Sequence, residues 1–425
     1  MNRSVRGRPA FVFALSCFAA ASPLEAQDLA TAIADALAHA PLVAEAQAGA
    51  EAADARVDRA RAERNPSARI DATAGVGYID NGGFFGIKSA SVTPVAVQAT
   101  TEIPVYTGGR VEAAVGQARA ASAIARSQLE QARLQTSVAT VSAYTEVLTA
   151  RATETSLKRS LDALREVERQ AGLRFRVGEI ASTEVAQAKA RRAEAEAGYA
   201  QAQGRRASAE AAFERLTGKI PVGLAPLPSE PATPGTLDEA IALARDANPG
   251  VRQANQAVAL ARVARDGARA EGRPTLAAFA EAGVVRDQFF PDYRSDSVTL
   301  GVRGRWTFFD GGRVAAQVRV TSAELAAAEA RARQASLATD GAVTDAWQDL
   351  IAVRRMIEAS RLRKAAADDA LRSTRLEAQV GMKPTLAVLD AEREALAAST
   401  ALTEAEGRLL VAAWRLNAAT GDVSR

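Results

Sequence analysis

One pattern is written twice along these 425 residues, and it restricts the fold more than any other feature. His39-Ala40-Pro41-Leu42-Val43 returns as Ala247-Asn248-Pro249-Gly250-Val251, and Arg64-Asn65-Pro66 returns near Gly272-Arg273-Pro274, both 208 positions later. Tyr106-Thr107-Gly108-Gly109-Arg110 returns as Phe309-Asp310-Gly311-Gly312-Arg313, now 203 positions on. The same 203 offset relates Ala143-Tyr144-Thr145-Glu146 to Ala346-Trp347-Gln348-Asp349, Val177-Gly178 to Val380-Gly381, and Leu216-Thr217-Gly218 to Ala419-Thr420-Gly421. Self-similarity at such an offset marks a tandem architecture. The five-residue difference falls between Pro66 and Tyr106, in a segment that tolerates insertion as an exposed loop does.

Proline spacing maps the elements, because proline interrupts helix interiors and central strands. None occurs between Pro104 and Pro221 or between Pro291 and Pro384, and glycine is sparse inside them, with only Gly116 between Val111 and Ala171 and only Gly341 between Arg313 and Gln379. Alanine dominates the apolar 48% while aromatics make up only 5%, so long helices in thin layers are expected rather than a thick core. Each interval predicts a helix of over sixty residues, about 90 to 100 Å long at 1.5 Å per residue. Each long helix ends at a turn, Val177-Gly178 or Val380-Gly381, and a shorter helix follows over 182–216 or 384–419. Each half also opens with a helix, over 28–64 or 236–272. Two short helices end to end would match one long helix, as a two-layer tube wall requires. Five of the 15 prolines crowd into 221–235, a linker between a first unit at 27–220 and a second at 236–425.

Residues 1–26 read as a secretory signal: Arg3, Arg6 and Arg8, an apolar stretch from Ala10 to Ala21, then Leu24-Glu25-Ala26. Cleavage before Cys17 with lipidation is the alternative, although Ala14-Leu15-Ser16 fits that processing poorly. Cys17 is the only cysteine, so no disulfide is expected to hold the remainder together. The segment carries a net +2 of the formal +3, and the rest interleaves both signs as solvated helix faces do, so nucleic acid is not an expected partner. After it no run of 18 apolar residues occurs, so any membrane crossing must use strands.

Strands are expected over about 68–79, 91–106, 275–286 and 296–309, between the first and second helix of each unit. Eleven of the seventeen aromatics beyond residue 26 lie in these two segments. Val298, Leu300, Val302, Trp306 and Phe308 alternate with Thr299, Gly301, Arg303, Arg305 and Thr307, and Val95, Val97, Ala99, Ile103 and Val105 alternate with Gln98, Thr100 and Glu102. The stretch 275–286 is the least regular. Half-buried strands of a soluble sandwich would alternate too. Strands of ten or more residues with clustered aromatics suit a bilayer better. Lipid permits only closed barrels, and four strands are too few to close one, so the protein must oligomerise around a polar lumen lined by Gln98, Glu102, Arg303 and Arg305.

The whole chain beyond the signal resembles the TolC-like outer-membrane efflux proteins. Two units in the order helix, β-hairpin, long helix, short helix carry the resemblance, with Gly108-Gly109-Arg110 and Gly311-Gly312-Arg313 as strand-to-helix turns. The segment Val380-Gly381-Met382-Lys383-Pro384-Thr385 and its counterpart Val177-Gly178-Glu179-Ile180-Ala181-Ser182 look like the family's helical tip. The resemblance implies a mainly α fold with a membrane β-barrel part: a homotrimer with one shared 12-stranded barrel set in outer-membrane lipid, continued by a periplasmic α-helical barrel. It implies a periplasmic adaptor (membrane fusion) protein and an inner-membrane RND or ABC transporter as partners, and no cofactor. Carried over by position, Thr183, Glu184, Lys383 and Asp390 match residues of the periplasmic gate; Ala387 stands where a second acid often lies. The plainer account of Glu184 and Asp390 is that acids favour the first turns of helices.

Neither Gly-Gly-Arg turn is joined by a phosphate-loop lysine or a dinucleotide pattern, the single histidine, His39, makes no metal site, and no nucleophile or metalloprotease motif occurs, so catalysis is not expected. The alternatives to an export channel are a periplasmic adaptor, which would carry one helical hairpin rather than two, and a coiled-coil structural protein, whose strands would not be internal. Nothing in a tube lined by Ala, Gln, Ser and Arg identifies the cargo.

Overall fold

The computed structural model describes residues 27–80 and 89–422, so the expected signal and Cys17 lie outside the described residues. Helices dominate. In order they are α1 (Leu29–His39), α2 (Pro41–Ala62), α3 (Arg110–Arg176), α4 (Ser182–Thr217), α5 (Leu237–Ala247), α6 (Pro249–Ala270), α7 (Arg313–Gln379) and α8 (Thr385–Thr420). Lengths coincide in pairs: α1 and α5 have 11 residues, α2 and α6 have 22, α3 and α7 have 67, and α4 and α8 have 36.

The opening helices depart from expectation. In place of single helices over 28–64 and 236–272, each is broken at a proline. Pro41 and Pro249 sit at the first position of α2 and α6, where the missing N–H costs nothing, and Ala40 and Asn248 before them are extended. The bend between α1 and α2 is 57°. Asn248 also caps α6, its Oδ1 accepting from the amides of Gly250 and Val251.

The helices form an ordered layer. α3 packs against α2 and α4 on one flank and α6 and α8 on the other, and α7 packs against α5, α6 and α8. The short helices stack end to end: the C-terminus of α4 meets α1 at Gly218 and His39, and that of α8 meets the α5–α6 break at Gly421 and Ala247. Large side chains concentrate beside these joints. One cluster holds Leu29, Val141, Tyr144, Val147, Phe213 and Leu410, and a second holds Ala240, Val343, Leu350, Ala413 and Leu416. Full burial of each large member contributes roughly 1.5–3 kcal/mol. The Tyr144 hydroxyl lies 3.0 Å from the carbonyl oxygen of Gln27 and 2.7 Å from that of Ala225, tying the segment after α4 to the middle of α3. Burial pushes the Tyr144 phenol up from its ordinary value.

Strands β1 (Ser67–Ala74), β4 (Val95–Tyr106), β5 (Thr275–Arg286) and β6 (Arg294–Arg305) make one antiparallel sheet in the order β1-β4-β5-β6. A separate ribbon pairs β2 (Gly77–Ile79) with β3 (Ala90–Val92). The expected strands 68–79 and 91–106 are therefore each interrupted. Pro94 cannot donate to a ladder, and the amide of Gly75 bonds to the Pro94 carbonyl at 3.0 Å where sheet gives way to ribbon. The expected strand 296–309 instead covers 294–305. Its partner β5 begins only at Thr275, opposite Arg305, just after Pro274, so residues 306–309 have no strand to pair with. Trp306 leaves the sheet, and its Nε1 lies 3.3 Å from the Gly272 carbonyl. By contrast 275–286, the least regular in sequence, is a continuous strand paired on both sides.

Candidate functional site

Two ends of the molecule carry the candidate residues: the sheet, and the turns that close the α3–α4 and α7–α8 hairpins. In the sheet the register sorts side chains by face, because directly opposed residues share a side. One face gathers Ile70, Ala72, Val97, Ala99, Ile103, Val284, Ala282, Val298, Leu300 and Val302. It is bare: Ile70, Val298, Leu300 and Val302 are 73%, 79%, 77% and 70% exposed. The opposite face carries Arg69, Asp71, Gln98, Thr100, Glu102, Glu281, Arg303 and Arg305. All four residues expected on a polar lining thus share one face.

That face holds its own ion pairs. Nη2 of Arg303 donates to Glu281 Oε1 at 2.9 Å, its Nη1 lies 3.7 Å from Glu102 Oε2, and Arg69 pairs with Asp71 at 2.8 Å. Glu281 was not among the residues singled out from sequence. Aromatics mark both ends of the sheet, with Phe289, Phe290 and Tyr293 packed edge to face in the β5–β6 loop and Trp306 against Phe308 below β6.

The strand-to-helix turns work through backbone shape. Gly108, Gly109, Gly311 and Gly312 all have positive φ, from 63° to 93°, a region open to glycine at little cost. Gly109 and Gly312 are the residues from which α3 and α7 start. Asp310 accepts from the amides of Gly312 at 2.9 Å and Val314 at 2.8 Å, and these two bonds hold its carboxyl below the usual range. Arg313 pairs with Glu271 at 2.9 Å, fastening α7 to the end of α6. In the first half the corresponding clamp is Arg64 to Glu112 at 3.1 Å, while Arg110 lines a groove with Glu63, Glu102, Arg303 and Arg305 at the base of the sheet.

At the helical end Gly178 and Gly381, with φ of 75° and 79°, reverse the chain after Val177 and Val380. Arg174 pairs with Glu179 at 2.8 Å across the first turn, and that hydrogen bond draws the Glu179 carboxyl below its ordinary value. Thr183 and half-buried Glu184 occupy the first turn of α4. Lys383 pairs with Glu377 at 3.7 Å, not with Asp390. Asp390, on α8, lies 3.5 Å from Arg191 on α4 and 3.8 Å from Arg393. Sequence reasoning missed Arg191, which stands 199 positions from its partner. Leu173, Phe175, Val177, Leu376, Val380 and Met382 are exposed around these turns.

Each hairpin is braced along its length. Arg151–Glu210, Arg206–Glu154 and Arg192–Glu168 at 2.7–2.8 Å join α3 to α4, and Arg363–Glu394 at 2.7 Å and Arg375–Glu392 join α7 to α8. Among the described residues, Arg191–Asp390 is the one ion pair between α4 and α8.

A family model described as outer membrane efflux protein matches residues 32–219 and 240–422. The outer membrane efflux protein BepC of Brucella suis biovar 1 is 29% identical over 282 residues, 66% of this chain and 62% of that protein, so the match spans less than two thirds of that relative. The solved outer-membrane channel OprN is similar with a TM-score of 0.78 and 22% identity, covering 92% of this chain and 89% of that one. The outer membrane protein VceC of Vibrio cholerae is similar with a TM-score of 0.77 and 21% identity, covering 93% and 96%. At such identities the structural likeness speaks for the fold.

Proposed function

Because the chain belongs to the outer membrane efflux protein family, we propose that it is the protomer of a homotrimeric export conduit, with a 12-stranded barrel in the bilayer and a gated helical tunnel below. The family comprises transport channels and not enzymes, and its members sit in the outer membrane and reach into the periplasm. The reading treats residues 27–220 and 236–425 as two structural units joined by the linker 221–235.

The observation that carries this proposal is the sheet. Among the described residues it has two unpaired edges, β1 and β6, and an exposed apolar face across all four strands. An apolar face of that extent needs lipid or protein against it, and in lipid an open edge strands backbone groups at several kcal/mol each. Pairing β6 of one copy with β1 of the next is antiparallel, removes both edges, and leaves the charged face inward. The helical layer supports the same closure. α3, flanked on both sides, buries 19 residues, whereas α7, of equal length and flanked on one, buries nine.

Conduction in this reading is passive. A periplasmic adaptor would cover the exposed apolar residues of the turns, and an inner-membrane RND or ABC transporter would supply energy and choose cargo. Thr183, Glu184, Lys383 and Asp390 form the gate, with Asp390 held back by Arg191. The test is to purify the protein in detergent, weigh the particle by light scattering, and insert it in planar bilayers. A three-chain particle that conducts is expected; a water-soluble monomer, or trimers that never conduct, would end the proposal.

A further inference from the structure

Phe279 is out of place by the logic of the sheet, being an aromatic ring on the polar face. It stands directly opposite Gly301 on β6. A Cβ built at Gly301 would sit 3.0 Å from Cε1 and Cζ of the ring, so the absent side chain is what lets the ring lie against the neighbouring strand. On the ring rests a cation: the guanidinium carbon of Arg303 is 4.5 Å from its centroid. The same guanidinium reaches Glu281 on β5 at 2.9 Å and Glu102 on β4 at 3.7 Å. One side chain of β6 therefore answers two carboxylates on two other strands from a seat fixed by Phe279 and Gly301. Arg305 and Arg110 line the same groove with Glu63 beside them, and neither arginine has an ion pair among the described residues.

We propose that Arg303 is a specificity-determining residue of the conduit: its charge offsets one of the two carboxylates Glu102 and Glu281, Arg305 offsets the other, and the ring at the base of the barrel carries no net charge. This rests on the reading that the polar face lines the lumen. Three copies then present six carboxylates and six guanidiniums, a ring that gathers neither cations nor anions. Without Arg303 the same ring holds six carboxylates against three guanidiniums, a fixed negative potential that gathers cations.

The seat matters as much as the charge. A free arginine would spend its time among many rotamers, whereas one stacked on a ring and paired to two carboxylates holds its charge at a single height in the pore. Lysine at 303 keeps the charge but not the fork. It should neutralise the ring in reversal-potential measurements while losing the grip between strands.

Full-length trimers in planar bilayers under a salt gradient, near 0.1 M where screening reaches about 10 Å, provide the test. Arg303→Gln is expected to raise the cation-over-anion permeability ratio about two- to threefold. Glu281→Gln should move it the other way, and Arg303→Lys should stay near wild type. Conducting R303Q and E281Q channels with the wild-type reversal potential would overturn the proposal, even if their heat stability fell. Should R303Q not assemble, an unchanged ratio in E281Q alone has the same force. A wild-type protein that forms no conducting trimer would instead overturn the channel reading beneath it.

Discussion

At the residue scale, ion pairs on these helices are individually weak. Arg191 and Asp390 are 29% and 48% exposed at their side chains, so solvent screening limits the pair to about 0.5–1 kcal/mol. That is nonetheless a two- to fivefold bias if the proposed gate has two states. Arg191→Ala is expected to raise the open fraction of single channels by about that factor, and Asp390→Asn should match it; unchanged opening in both would sever the pair from gating. Asp310 offers a larger effect, because it closes two backbone amides at the start of α7. Asp310→Ala should cost about 0.5–2 kcal/mol, read as a lower dissociation temperature of the trimer in detergent, while the isosteric Asp310→Asn recovers much of it. The family resemblance pointed at Asp390 but could not supply Arg191, because a contact across 199 residues leaves no local signal. It likewise placed Arg303 on the polar face without its partners. Glu281 and Phe279 sit on one side of β5, an acid and an aromatic together, with small alanines on the other. That mixture blurs the alternation by which a strand is recognised.

At the scale of elements, what was legible was whatever proline and glycine dictate. The long helices, their terminal Val-Gly turns and the double-glycine starts all fall where expected, since each depends on a residue type that a helix interior rejects or a positive φ requires. The misplaced boundaries have the same origin read too loosely. Pro41 and Pro249 fall inside the expected opening helices and break them, because a proline starts a helix more readily than it continues one. The end of β6 could not be read from its own alternation, which runs on to Phe308, because a strand lasts only as long as its neighbour. The unequal burial of α3 and α7 leads to a prediction here. Leu337 and Leu362 on α7 are 71% and 73% exposed. If α7 packs against a second copy, Leu337→Lys with Leu362→Lys should reduce the trimer fraction in detergent while leaving the helical circular dichroism of each chain in place. Wild-type trimer yield from that double variant would remove α7 from the interface.

At the scale of the whole molecule, acid should loosen the helical end. Glu166 is drawn down to about 2 and Glu179 is drawn down as well, by hydrogen bonds from Arg169, with Gln170 behind it, and from Arg174. A carboxyl whose folded value is depressed stabilises the fold fully above its unfolded value, here 4.5, and loses that contribution as pH falls through the folded value. A spin label at Ala181→Cys, beside the α3–α4 turn, is therefore expected to keep its mobility from neutral pH to about 4.5 and to gain mobility from there toward about 2. Mobility rising already between pH 7 and 5 would contradict it.

The layer has two unlike margins, β1 with α2 and α4 on one side and β6 with α7 on the other. Two copies joined by a twofold axis at β6 would leave both β1 margins open and point their helices in opposite directions, whereas in head-to-tail pairing each addition buries one margin and presents another of the same kind. Growth is then as favourable from a pair as from a lone chain, and only return to the starting copy ends it. A polypeptide spoiled on a single margin would still be accepted by its other side and would leave the circle incomplete. Coexpressed in modest amount with intact protein, it should poison far more export capacity than its own share of the chains.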